Sequence, residues 1–337
     1  MKLSYAPWGE SIREVADAAA AAEAAGFSDI WISELHRSAF VPAAAVASAT
    51  RSIGVGTAIA LAFARSPMLT ALSALDLDDL SGGRFTLGLG SGVRRLNEDW
   101  HNVPFGKAVP HLRETIAIVR RLVAEAHLGK PVDIEGEHER VRIRGYERPF
   151  PPVRERIPIY IAAVADAMTR LAGEVGDGWL GHELGSPRYL SERLLPNIAS
   201  GLSRGGRSRS DVAVVASACC VIDEDSRQAK RWAAGLVSFY ATVKTYEPFF
   251  AFHGFEREAA EIREKFRAGD TPGMIDATPD AMVDALTLAG SVDEVRERLA
   301  AYAGIADGVK LSPPTHLVPA SVTRSCQAAI LSGLGPS

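Results

Sequence analysis

The sequence predicts a single-domain (β/α)8 barrel, an α/β TIM barrel with insertions, over residues 1–337. Three observations predict it. Strand-like and helix-like runs alternate from end to end, and the strands number eight. The length of 337 residues suits one large α/β barrel with insertions, and 47% hydrophobic residues are enough for a substantial core. A helix–glycine–aspartate–strand grammar also recurs, in "AGFSDIWIS" and again in "VGDGWLG". An open doubly wound sheet is the rival fold. It wants a glycine-rich turn after the first strand, and "YAPWGES" matches that fingerprint poorly.

The elements follow in order. "LSYAP" from Leu3 is a short first strand. Ser11 and Glu14 form a capping-box pattern that starts an alanine-rich helix, and Gly26 stops it. "DIWIS" is the second strand, and a helix-like segment follows Pro42. "SIGVGTAIAL" is the third strand, with helix signals again after Pro67. "RFTLGLG" is the fourth, followed by the amphipathic helix "HLRETIAIVRRLVAEA". Residues 128–156 break the rhythm with Pro, Gly and charge, and "VDIEGEHERVRI" has the pattern of a surface hairpin. "IPIYIAA", "DGWLG" and "VAVVASACCVI" are strands five to seven, separated by helices. Residues 223–290 read as mostly helical, with a polar, mobile excursion at 249–277 as a second insertion. Ser291 and Glu294 make another capping box, "DGVKLSP" is strand eight, and a helix closes the chain.

Composition narrows the function classes. A net charge of −4 argues against a general nucleic-acid binder. No run of about 18 uncharged apolar residues suggests a membrane span. "MKLSYAPWGE" lacks a signal-peptide pattern, and three sparse cysteines without metal spacing fit a reduced cytoplasm. A vicinal redox pair at Cys219 and Cys220 is the alternative use of those thiols.

Barrel active sites lie at the C-terminal ends of the strands, which converts the strand list into a site list. Glu34 and His36 follow strand two, and a carboxylate and an imidazole two apart at a strand end can serve proton transfer. The plainer reading is a salt-bridged loop. No metal motif is present: His182 with Glu183, and His316, sit on separate loops. "LGLGSGV" is a weak phosphate-cradle signal. "AAVADA" is a stronger one, because small residues leave backbone N–H groups open where the next helix starts. Tight helix–strand packing explains it equally well. Arg94, Arg95 and Lys107 flank the loop after strand four and would receive an anionic tail if they cluster with Arg65. Trp8, Phe40, Phe63, Trp100 and Trp179 would line a pocket for a flat ring, or simply belong to the core.

With these segments placed, the chain resembles the luciferase-like flavin and deazaflavin oxidoreductases, most closely the branch that uses coenzyme F420. The likeness rests on "GFSDIWISELH", "GTAIALAFARSPM", "LSGGRFTLGLGSG" and "AAVADAMTRLAGEVGDGWLGH", which occur in that order over about residues 3–320. The resemblance implies the same barrel, and a non-prolyl cis peptide at Ala58–Ile59 that backs the deazaflavin ring. It implies further cofactor contacts at Ala60, Phe63 and Arg65, at Gly90, Ser91 and Gly92, and at Ala162, Ala163 and Val164, the last three around the cofactor phosphate. Glu34 matches an acidic position facing the ring.

Two departures stand out. Some relatives have a histidine directly after that acid, where this chain has Leu35, and a glutamate after the strand-four glycines, where it has Val93. The proton-transfer apparatus of those relatives is therefore not reproduced; either Glu34 or His36 serves instead, or the substrate needs little acid–base help. The resemblance implies hydride transfer between the deazaflavin C5 and a small organic substrate, in a pocket lined by Trp8, Phe40, Phe63 and His182 with residues 249–277 as a lid. The rivals are a reduced-FMN-dependent monooxygenase on the same barrel and a flavin-binding barrel without turnover. The family is often dimeric, and "RLVAEAHL" offers one apolar helical face for a homodimer.

Overall fold

A computed structural model describes residues 1–335, so the last two residues of the predicted domain lie outside the described part. Twelve strands are present among the described residues: β1 Lys2–Tyr5, β2 Asp29–Ile32, β3 Gly54–Thr57, β4 Ala60–Leu61, β5 Phe85–Gly90, β6 Val132–Glu135, β7 Arg140–Ile143, β8 Ile159–Ala162, β9 Gly178–Leu180, β10 Ala213–Ile222, β11 Leu288–Gly290 and β12 Gly308–Ser312. Eight parallel positions close a barrel in the order β1, β2, β3/β4, β5, β8, β9, β10 and β12, and β12 returns to β1 with Tyr5 opposite Leu311. Closure leaves no edge strand exposed in the barrel.

Side-chain alternation splits the strands between two cores. Outward residues such as Ile30, Val55, Leu87, Ile161 and Val309 pack under the surrounding helices. Inward residues Trp31, Leu180 and Val215 fill the barrel, joined by half-buried Ala58, Ile59, Tyr160 and Ala162.

Four local expectations are changed or refined in the structure. The third strand is not one run: it breaks between β3 and β4, and the Ala58–Ile59 peptide at the break is cis. The stretch 223–290 is mostly helical as expected, and Leu288–Gly290 adds to it a short parallel strand beside Cys220–Ile222. The insertion at 249–277 is not a loose excursion. It holds the helices Glu256–Arg267 and Thr271–Asp276, and its Phe249, Phe250, Ile262 and Met274 pack on Leu236 and Val237 of the helix Ser226–Ala241. The Ser11 capping box is half made. The Ser11 hydroxyl accepts the Glu14 N–H, but the Glu14 carboxylate accepts from Glu10 instead. Ser291 and Glu294 do form both halves.

The hairpin β6–β7 forms in antiparallel register, with Val132 opposite Ile143. It is tied to the helix Ala108–Glu125 by Glu114, which accepts the backbone N–H groups of Glu137, His138 and Glu139.

Candidate active site at the barrel mouth

The floor of the mouth is made of apolar side chains that reach across the barrel, and small residues opposite them make room. A Cβ on Gly56 would come within 2.4 Å of the Trp31 ring, and one on Gly90 within 2.5 Å of Ile59 Cδ1. Both glycines therefore exclude larger residues by close approach. Ile59, at the break in the third strand, and Ala162, at the end of β8, are half-buried and pack against Trp31, Leu180 and Val215.

One wall is a charged brace. The Glu34 carboxylate, just past β2, accepts the Leu61 N–H at 2.8 Å and a long bond from the Ala39 N–H at 3.4 Å. It is paired in bidentate fashion with Arg65, the Nη1–Oε2 contact being 2.8 Å. Burial alone would raise the Glu34 pKa, but the Arg65 hydrogen bonds and charge and the Leu61 amide outweigh it and hold it low. Arg65 in turn lies over the Phe40 ring at 5.0 Å. Glu34 is thus an ionised carboxylate whose oxygens are already taken up by the β4 backbone at Leu61 and by Arg65. His36 and Leu35 are exposed on the rim, so the expected Glu34–His36 pair does not meet in one pocket. Phe63 lies in the outer core, stacked on His111 at 3.8 Å and edge-on to Phe105, rather than among the inward residues.

The loop after β5 is held from below. Gly92 takes a left-handed φ of +63°, and buried Asn97 donates to the carbonyls of Ser91 at 2.8 Å and Val93 at 3.0 Å. Asn97 sits on a short π-helical turn, Leu96–Trp100, which the sequence pattern did not reveal. The flanking cations do not gather into a tail site. Arg94 pairs with Glu98, Arg95 with Asp99 and Lys107 with Glu137, all on exposed surface.

The opposite wall carries a cavity of about 380 Å³. Ala163, Val164 and Ala165 line it where the helix Asp166–Val175 starts without a side-chain cap, and Trp179 Nε1–H fixes the Ala163 carbonyl at 2.9 Å. His182, Tyr246 and Phe249 line it as well. The Leu184 N–H donates to His182 Nδ1 at 3.1 Å, which leaves Nε2 to carry the ring proton and donate it to the Tyr246 oxygen at 2.9 Å. Burial pushes the His182 pKa down to about 4, against weaker upward pull from Glu183, so the ring is neutral.

Glu183 accepts from Tyr240 Oη at 2.9 Å and from Ser312 Oγ at 3.2 Å. Burial would raise its pKa, but His182, His316 and Lys310 together with the Tyr240 bond bring it low. So the His182–Glu183 pair and His316, on separate loops in the sequence, converge here. Lys310 sits in the barrel wall, 8% exposed, with no hydrogen bond or ion pair among the described residues. Trp8 is held elsewhere on the rim, its backbone N–H on Gln327 at 3.0 Å and its ring under Arg324.

A model of the family described as "Luciferase-like monooxygenase" matches residues 2–307. The chain belongs to this luciferase-like family. Its resemblance extends to a Mycobacterium tuberculosis protein named "Putative coenzyme F420-dependent oxidoreductase", 31% identical over 328 residues and covering 90% of each chain. Among solved structures, the coenzyme F420 dependent tetrahydromethanopterin reductase of Methanopyrus kandleri superposes with a TM-score of 0.84 at 23% identity, over 99% of this chain and 97% of that one. A Pseudomonas putida type II Baeyer-Villiger monooxygenase, solved with FMN, superposes at 0.68 with 20% identity over 100% and 98%. Luciferase-like barrels with different redox cofactors thus share this architecture, and Tyr246, Tyr240, Lys310 and Asn97 are the site residues that motif reading missed. The one sequence signal near them is the aromatic run "SFYATVKTYEPFF".

Proposed function

We propose that this chain is an F420-dependent oxidoreductase that moves a hydride between the deazaflavin C5 and a small organic substrate. The observation that carries the reading is the apolar floor: Ile59, Ala58 and Ala162 lie half-buried beside Trp31, Leu180 and Val215, a surface suited to a flat ring. The residues present fit the group. Ala58, Ile59 and Ala60 would back the ring, and Gly90, Ser91 and Gly92 would pass its side chain, since a Cβ at Gly90 would occupy space against Ile59. Ala162, Ala163 and Val164 lead to the uncapped helix start, where free N–H groups suit a phosphate. When bound, the deazaflavin supplies a two-electron hydride carrier; the chain supplies position and exclusion of water. Glu34 and Arg65 brace β4, which follows the Ala58–Ile59 break on which the ring would rest. The similarity to a relative named for coenzyme F420 supports this choice.

The second reading is a reduced-FMN monooxygenase, which the FMN-bound structural relative favours. Two fluorescence titrations of the purified protein, one with F420 and one with FMN, separate the readings. Tight binding of F420 alone is the expected result. Tight binding of FMN alone would replace hydride transfer with oxygen-using flavin chemistry.

A further inference from the structure

Two tyrosines stand on the same side of the mouth, and their hydroxyls are used differently. Tyr240 donates its proton to Glu183 at 2.9 Å, so it is committed. Tyr246 receives a hydrogen bond from His182 Nε2 and makes no other among the described residues. The tautomer follows from the Leu184 N–H, which occupies Nδ1. Since Nε2–H points at the Tyr246 oxygen, the phenol's own proton is left without an acceptor. His182 and Tyr246 both line the 380 Å³ cavity, whereas Tyr240 and Glu183 do not. The ring packing fixes the trio. Tyr240 is edge-on to His182 at 4.6 Å, and Tyr246 lies 4.8 Å from His182 and 5.0 Å from Tyr240. The cavity lining thus presents this donor, and its one carboxylate, Asp166, is taken up by Arg193 and Asn197. A ligand atom placed there must accept a hydrogen bond.

We propose that Tyr246, backed by the Nε2–H of His182, is the hydrogen-bond donor of a binding site in this cavity for an oxyanion or carbonyl oxygen on a small flat ligand. Neutral histidine suits this task because it donates from a fixed nitrogen without adding a charge. Burial and the Glu183 charge raise the Tyr246 pKa, which keeps the phenol protonated and ready to donate.

The test needs no natural substrate. 4-Nitrophenolate is a flat oxyanion whose absorbance reports both binding and ionisation. The wild-type protein is expected to bind it and to lower its ionisation midpoint. Tyr246→Phe should lose about tenfold in affinity and the midpoint shift with it, as expected for one hydrogen bond to a charged acceptor. Tyr240→Phe should bind within about twofold of wild type, because that hydroxyl serves Glu183. No binding by wild type, or equal binding by a folded Tyr246→Phe, overturns the proposal. If Tyr246→Phe does not fold, His182→Gln is read in the same titration. A loss supports the proposal and no loss overturns it.

A parallel F420 titration keeps the two ideas apart. If F420 does not bind while the nitrophenolate site depends on Tyr246, the hydride reading falls and the donor site stands. If Tyr246→Phe loses F420 affinity but not nitrophenolate affinity, Tyr246 is a cofactor ligand and the proposal is overturned.

Discussion

The two walls of the mouth hold ionisable groups in opposite ways. On the β2–β4 side, Glu34 and Arg65 satisfy each other, and the Leu61 and Ala39 N–H groups complete the carboxylate. On the β9 side, His182 and Tyr246 form a chain that ends in an unplaced phenol proton. The first arrangement stores rigidity. The second keeps a donor available. A charged pair at a strand end is therefore a poor guide to chemistry by itself, because full pairing removes the free valence that a reaction needs.

The largest test of this contrast is on the brace. Glu34→Gln leaves the Arg65 guanidinium without its countercharge in a setting where the side chain is only 18% exposed. Removing one partner of such a pair should cost about 2–3 kcal/mol, the lower end for buried pairs because Arg65 keeps some water. Urea unfolding measures it as a lower midpoint at unchanged slope. Because the Glu34 pKa is lowered in the folded protein, its contribution is present above the ordinary carboxylate range and fades as pH falls through the folded value. The variant should lose that acid dependence too. A cost below about 0.5 kcal/mol, the range of ordinary surface changes, would mean that the pair is no brace.

Much of this was legible in the sequence, for reasons that can be named. All eight barrel strands were found, since each combines β-branched or aromatic residues with a turn signal. Strand β11 was missed because "LAG" is too short to show a period and follows a helical run. Glu34 was visible as an acid at a strand end, but its partner Arg65 is 31 residues away, and pairing at that distance is a property of barrel closure. Lys310 lies inside an ordinary strand pattern, "DGVKLSP", where nothing local says that its side chain is buried without a partner. Tyr246 follows a helix and precedes Pro248, so sequence spacing gave it no periodic face. His182 was singled out as pocket lining; its tautomer depends on the Leu184 amide and is invisible before folding.

The second test concerns pH on the opposite wall. The His182 pKa falls from 6.5 to about 4 on folding. A depressed histidine favours the folded state above pH 6.5, where both states are neutral. It loses that advantage as pH drops from there towards 4, because only the unfolded chain takes up the proton. By pH 4.5 this should remove about 2.5 kcal/mol of stability. His182→Gln cannot titrate, so the difference between wild type and variant should shrink by that amount between pH 7 and 4.5. A difference that stays constant with pH would mean that the ring is not held neutral by burial, and the tautomer assigned to it would lose its support.

The smallest expected effect is the most pointed. His36 was singled out with Glu34 because the two lie close in sequence, yet it is exposed on the rim and makes no hydrogen bond or ion pair among the described residues. His36→Ala should change stability by less than about 0.5 kcal/mol, as exposed positions do. It should also leave both the F420 and the 4-nitrophenolate titrations unchanged. A substantial loss in either one would show that the β2 loop closes over the mouth when a ligand arrives, bringing His36 inward. In that event the two walls would differ only in the empty protein, and the division of labour between brace and donor would belong to one state of the barrel rather than to its fold.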